Sequence, residues 1–133
     1  MGKEPWKYSF AAETAAVNAL RERHALIPYI YSINRRTHTE GRALCEPMYY
    51  SYPCEKAAYE VPNQFFFGTE LMVSPITKPA DKRTYLAPAK VWLPKGRWTD
   101  WYTGRIYEGE RFVTMYRDLN ALPVLAKAVS YTH

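Results

Sequence analysis

Aspartate, cysteine and glycine are all scarce in this chain, and each shortage removes a class of function. Only three aspartates occur, Asp81, Asp100 and Asp118. Each falls in a loop-like or hairpin context, so no two carboxylates occupy matching places at the ends of successive strands. The two cysteines, Cys45 and Cys54, cannot make a disulfide scaffold in a chain of 133 residues. Neither has a second cysteine or a histidine at zinc-ligand spacing, which argues against a metal centre. Buried free thiols in a reducing, cytoplasmic compartment are the expectation. The six glycines make no GxGxxG or GxxxxGK phosphate cradle, and no GxSxG elbow occurs. By residue content alone the chain assembles no active site: no catalytic residue, cofactor or metal is expected.

Long apolar runs are missing too. A bilayer-spanning helix needs about 20 apolar residues, and the runs here last only a few, so no membrane segment is expected. The opening MGKEPWKYS has no apolar core before a small-residue cleavage site, and no secretory signal is read there.

What is present is ordinary in its totals and unusual in its rings. Hydrophobic residues make up 47% and charged residues 23%, as in a typical globular domain, whereas aromatics reach 16% and include twelve tyrosines. The net charge of +5 is spread along the chain and does not identify a nucleic-acid binder. The densest basic group is Arg35, Arg36, His38 and Arg42, around Glu40. It lies where a helix ends, and cations there complement the negative end of the helix dipole. The solvated helix end is the reading preferred over a phosphate site.

Residues 9–40 read as helical, with Ser9 capping the start, Glu13 in the first turn and Gly41 closing the end. Phe10, Val17, Leu20, His24, Ile27 and Tyr31 recur at steps of three and four, and Ala16, Leu26, Ile30 and Ile33 widen the stripe. Pro28 removes a donor and crowds the carbonyl of His24, which predicts a kink or two abutting helices. So apolar a helix requires cover on more than one side. His24 is read as a core or helix-packing residue, since no serine–acid or cysteine partner accompanies it.

Leu44, Cys45, Met48, Tyr49 and Tyr50 suggest a short buried strand within 43–53, with Pro47 at a bend. Residues 55–60 can form one helical turn. From Asn63 onward, short β-branched and aromatic runs alternate with Gly and Pro, the habit of an antiparallel sandwich or meander. Within 91–109, VWLP and RWTDWY read as two strands joined through KG in a tight turn. On the second, Trp98, Asp100 and Tyr102 face one way and Arg97, Thr99, Trp101 and Thr103 the other. Each face carries aromatic and polar residues, so the pattern alone leaves the buried face open. Two uses compete for the rings: a core, favoured by area burial and strand preference, or a sugar-stacking platform of Trp92, Trp98, Trp101 and Tyr102. A nucleic-acid surface over 90–105 is the weakest reading, because no RNP, OB or KH signature is present and the charges form no stripe.

The order of these pieces resembles a known family. LRERHALIPYIYS at 20–32, GRALCEPMYYSYP at 41–53, NQFFFGTELMVSPI at 63–76, YLAPAKVWLPKGRWTDWYTG at 85–104 and ALPVLAKA at 121–128 follow one another. Together they are similar to the downstream part of glycoside hydrolase family 31, the α-glucosidases and α-xylosidases, over about Ala11 to Ala128. The resemblance implies an α+β fragment. Residues 1–60 would be the end of a catalytic (β/α)8 barrel, with 9–40 a late helical region and 43–50 the final barrel strand. Residues 61–133 would be a truncated, antiparallel proximal β-sandwich. It implies a retaining enzyme on α-glucosides or α-xylosides whose two aspartates lie upstream, since Asp81, Asp100 and Asp118 match neither catalytic context. Such chemistry needs carboxyl groups ~5–5.5 Å apart at the C-terminal mouth of a closed barrel. The chain alone is expected to be inactive and to self-associate, its natural partners being the rest of the barrel and, for the intact enzyme, an α-linked oligosaccharide. Two departures stand out. Glu46-Pro47 replaces an Arg-Pro common in the family, which puts a local ion pair in doubt. Val129 to His133 replaces a further Gly and apolar strand, which reads as a cut, as does Met1 at the head of a mid-barrel segment.

Overall fold

A computed structural model describes residues 2–128, so the altered ending expected at Val129 to His133, and Met1, lie outside the described residues. A 3-10 turn at Pro5–Lys7 leads into two helices, α1 (Phe10–Ala25) and α2 (Ile27–Glu40). The Ser9 side chain accepts from the Ala12 N–H at 3.3 Å, and Gly41 closes α2 in the left-handed region at φ +68°. The break expected near Pro28 falls at Leu26, whose N–H is shared between the carbonyls of Glu22 and Arg23. Proline at the start of α2 sits where a missing N–H costs nothing. Two abutting helices result.

The strand expected over 43–50 is shorter than its apolar residues suggest. β1 covers only Cys45–Pro47, and Pro47 then caps a single helical turn, α3 (Met48–Ser51). Tyr49 and Tyr50 are exposed there, while Met48 points into the core. The turn expected at 55–60 is α4 (Lys56–Tyr59). Seven further strands follow: β2 (Phe65–Phe67), β3 (Leu71–Val73), β4 (Ala87–Leu93), β5 (Arg97–Asp100), β6 (Ile106–Glu108), β7 (Arg111–Arg117) and β8 (Val124–Lys127).

They form two antiparallel sheets, one ordered β1-β2-β3-β8-β5-β6 and the other the pair β4-β7. The tight hairpin expected between VWLP and RWTDWY does not exist, because β4 and β5 belong to different sheets. The chain changes sheets at Pro94–Gly96 and again at Gly109–Glu110, and the two crossings touch. The Gly109 N–H donates to the Gly96 carbonyl at 2.7 Å, and a Cβ on Gly109 would strike the Pro94 and Gly96 carbonyl oxygens. Only a residue without a side chain permits that backbone approach.

Strand register puts one row of side chains across the larger sheet: Glu46 opposite Phe66, Phe66 opposite Met72, Met72 opposite Leu125, Leu125 opposite Asp100. Directly opposed residues share a face. This face meets Val91, Leu93 and Met115 of the smaller sheet, with Met48, Ala58, Val61, Trp92 and Trp98 closing the core. In β4 the expected period of two is visible from Ala87 to Val91, with Lys90 out; beyond it Trp92 is buried as well.

What lets Trp92 be buried is Gln64, itself only 2% exposed. Its Nε2 donates to the Trp92 carbonyl at 2.7 Å and its Oε1 accepts from the Trp92 N–H at 2.9 Å. One side-chain amide thus does for β4 what a neighbouring strand would do.

The helices are held far more loosely. Ile33 is the one buried residue of α2 and α1 has none. Tyr29 anchors α2 by donating to the Phe67 carbonyl at 2.6 Å and accepting from the Glu70 N–H at 3.1 Å. A cavity of about 600 Å³ separates Ala15 and Ala19 of α1 from Ile76 and Leu122.

Replacing Gln64 by Ala strands two buried backbone groups, each worth about 1–3 kcal/mol when unpaired. Urea unfolding is expected to show a loss of about 2–4 kcal/mol; a loss below about 1 kcal/mol would contradict the role given to Gln64.

Candidate functional site

The four rings offered as a sugar platform do not share a surface. Trp98 is 1% and Trp92 6% exposed, whereas Trp101 is 48% exposed. The Trp98 indole N–H donates to the Pro94 carbonyl at 2.9 Å, and Trp92 packs edge-on against Tyr52 at 5.3 Å between centroids. Tyr102 is half-buried, its hydroxyl donating to Glu22 of α1 at 2.9 Å. The platform reading is therefore corrected in favour of the core: rings whose faces touch protein cannot stack on a sugar. Of the two faces proposed for β5, the one bearing Trp98 and Asp100 is inside.

The three aspartates also find structural employment. Asp81 accepts from the N–H groups of Arg83 and Thr84, and Asp118 from that of Asn120, as turn-forming aspartates do. Asp100, 1% exposed, accepts from the N–H of Tyr102 at 2.9 Å and of Thr103 at 3.3 Å, and its second oxygen pairs with Arg117. That pair ties the end of β5 in one sheet to the end of β7 in the other.

The other buried carboxylate is Glu46, at the opposite end of the same cross-sheet row. Arg36 of α2 donates to it through Nη2 at 3.1 Å, and Arg42 embraces it with Nε at 3.1 and 3.2 Å and Nη2 at 3.0 Å. These bonds hold the Arg42 proton above the usual guanidinium range, hydrogen bonding to Glu46 first and its charge second. One correction follows. The basic group at the end of α2 is not merely a solvated helix end, since Arg36 and Arg42 converge on a buried partner. With Glu46 where the family resemblance has arginine, the local ion pairs are ones in which this position supplies the carboxylate.

Around this cluster lies a cavity of about 290 Å³, lined by Arg36, Arg42, Glu46 and Lys127 together with Tyr52, Phe66 and Trp98. Arg36 Nε is buried without a hydrogen-bond partner among the described residues. Sequence reading missed this assembly because its charged members come from α2, the loop after it, β1 and β8.

Other expected positions are placed as follows. His24 is exposed on α1 beside Leu20 and Ile27, so within this chain it is not a core residue. Cys45 and Cys54 are free, as expected, but both are exposed rather than buried. Among the described residues no cluster of His, Cys, Asp and Glu is suited to a metal ion, and no helix is long and apolar enough to cross a membrane.

Comparison with known proteins gives a consistent set of likenesses. The family model described as the glycosyl hydrolase family 31 C-terminal domain matches residues 41–130. Alpha-glucosidase 2 of Bacillus thermoamyloliquefaciens is 27% identical over 94% of this chain and 15% of its own length. The alpha-xylosidase of Saccharolobus solfataricus is 29% identical over 95% of this chain and 17% of its own. Among solved structures, a family 31 dextranase of Flavobacterium johnsoniae complexed with isomaltotriose superposes with a TM-score of 0.83 at 30% identity, over 95% of this chain and 15% of that one. A cycloalternan-degrading enzyme of Trueperella pyogenes gives 0.86 at 26% identity, over 96% and 18%. The chain thus spans about a sixth of the length of the curated relatives it matches.

Burial raises the Tyr102 phenol to about 12, with the Glu22 hydrogen bond and the Glu22 and Asp100 charges adding to it. Because the folded state holds this proton more tightly than an ordinary tyrosine near 10, its contribution is complete below about pH 10 and lost as pH rises through about 12. Stability followed by circular dichroism is expected to fall across that window, and to fall less in Tyr102→Phe. An identical fall in that variant would remove Tyr102 as the cause.

Proposed function

The chain belongs to glycoside hydrolase family 31, and from that premise we propose that it is the supporting C-terminal part of a retaining α-glycosidase, inactive alone. In this reading residues 1–60 close the catalytic barrel and residues 61–133 form the proximal sandwich beneath it, with both catalytic aspartates upstream. The strand β1 would couple the two parts, since it pairs with β2 across residue 60.

The observation that carries the proposal is the contrast between the two halves of the structure. The sheets enclose a core, with Val91 and Leu93 at 0% exposure, although Tyr85, Ile106, Tyr116 and Leu119 stay on the surface. Of the two long helices only Ile33 is buried, and Phe10, Leu20, Ile27 and Tyr31 remain 84%, 50–54% and 75% exposed. Large exposed apolar patches mark surfaces made for contact. Barrel helices and strands that would accompany this segment in an enzyme of the relatives' length would supply that contact. The substrate of such an enzyme is an α-glucoside or α-xyloside, the classes named for the two curated relatives above.

Purified chain incubated with aryl α-glucosides and α-xylosides is expected to release no phenol above blank. Turnover that stays with the chain at constant specific activity through successive purification steps would defeat the proposal. The uncovered helices are also expected to drive self-association, so sedimentation should show dimers or larger species; a single sharp monomer at all concentrations would count against the uncovered-helix account.

A further inference from the structure

We propose that the cavity at the foot of α2 binds a small oxyanion, a phosphate or carboxylate group, free or carried on a sugar-sized molecule. This goes beyond the supporting role proposed above and does not depend on it.

The first argument is charge. Arg36, Arg42 and Lys127 line the cavity against one carboxylate, Glu46. Among the described residues Lys127 makes no ion pair, so the walls carry a positive excess that Glu46 does not neutralise. A concave wall with an excess of one sign focuses its field on the enclosed space.

The second argument is unused hydrogen-bonding capacity. A guanidinium offers five N–H donors and no acceptor. Arg36 places only Nη2 on Glu46, and its Nε is buried without a partner. That Nε is closed to the cavity as well as to water, whereas Arg36 Nη1 makes no hydrogen bond among the described residues and is the donor left for an incoming acceptor. Glu46 fixes both arginines from behind: the bonds to Arg42 are bidentate and the carboxylate is held in the β1–β2 register opposite Phe66. The donors are thus ordered before any ligand arrives, which lowers the entropic cost of binding.

The third argument is shape. The cavity of about 290 Å³ lies at the small end of the ~300–1,000 Å³ typical of ligand sites. Tyr52 and Phe66 line it beside the cations, their rings 6.2 Å apart and tilted by 31°. Ser51 and Thr69 add hydroxyls. A phosphate alone fits the charged part; a sugar ring attached to it would lie against the aromatic wall.

The test is a calorimetric titration of the full chain with inorganic phosphate, glucose 6-phosphate and glucose, repeated at two salt concentrations. Phosphate and glucose 6-phosphate are expected to bind in the millimolar range or tighter, more weakly at high salt, and glucose not to bind. Tighter binding of glucose 6-phosphate than of phosphate identifies a sugar-borne anion; equal binding identifies the free ion. Lys127→Ala, at an exposed side chain that makes no ion pair among the described residues, should weaken both by about two- to fivefold, a factor a single screened charge supplies. Glu46→Gln, provided circular dichroism shows it folded, should tighten both, because it removes the competing negative charge. Absence of binding in the wild-type chain overturns the proposal. So does binding that ignores Lys127→Ala, which would be general attraction to a basic surface.

Discussion

The sandwich depends on a polar contact in the middle of its core. Two strands, β4 and β7, cannot form a stable sheet by themselves, and among the described residues β4 has no second strand to satisfy its other edge. Gln64 fills that place by bonding both polar atoms of Trp92. With that edge closed, Trp92 can be buried along with Val91 and Leu93, and the smaller sheet can lie face to face on the larger. The two short sheet crossings, at Pro94–Gly96 and Gly109–Glu110, then touch through the Gly109 N–H. Asp100 and Arg117 tie the sheets together at the other ends of β5 and β7.

Buried charge is distributed with the same economy. One row of side chains crosses the larger sheet and ends in a carboxylate on each side, Glu46 and Asp100, with Phe66, Met72 and Leu125 between. Each end meets arginine from a different part of the chain. Buried pairs of this kind contribute little net stability but are costly to break, because the survivor is left charged and unpaired. Their effect is to hold register. Shifting β1 by one residue would turn Glu46 to the wrong face and leave Arg36 and Arg42 without their partner.

Much of this was legible in the residues. Local signals placed the elements well: Ser9 and Gly41 bracket the helices, Pro28 divides them, and the aromatic runs after Asn63 become strands. Pairing was harder to read. A KG turn between two β-rich runs suggests a hairpin, yet the strands part into different sheets, a choice made by long-range packing that no local pattern records. The Arg36–Glu46–Arg42 cluster was hidden for a related reason. Its arginines look like ordinary helix-end cations until the fold brings a buried carboxylate between them. Cys45 was read as buried because it sits in an apolar run, but the strand there is so short that its neighbour Glu46 takes the inward position instead.

Function is divided along the same line as burial. The sheets hold a buried core, whereas the two long helices bury only Ile33, expose Phe10, Leu20, Ile27 and Tyr31, and touch the rest through few anchors, among them Tyr29 and the Glu22–Tyr102 hydrogen bond. A part so built fits the supporting role proposed above. Native-state amide hydrogen exchange tests this division directly. Amides of residues 10–40 should exchange orders of magnitude faster than those of 87–93 and 111–117, reflecting local opening without loss of the sandwich. Equal protection in both halves would show that the helices are already fully supported within this chain, and would contradict the account.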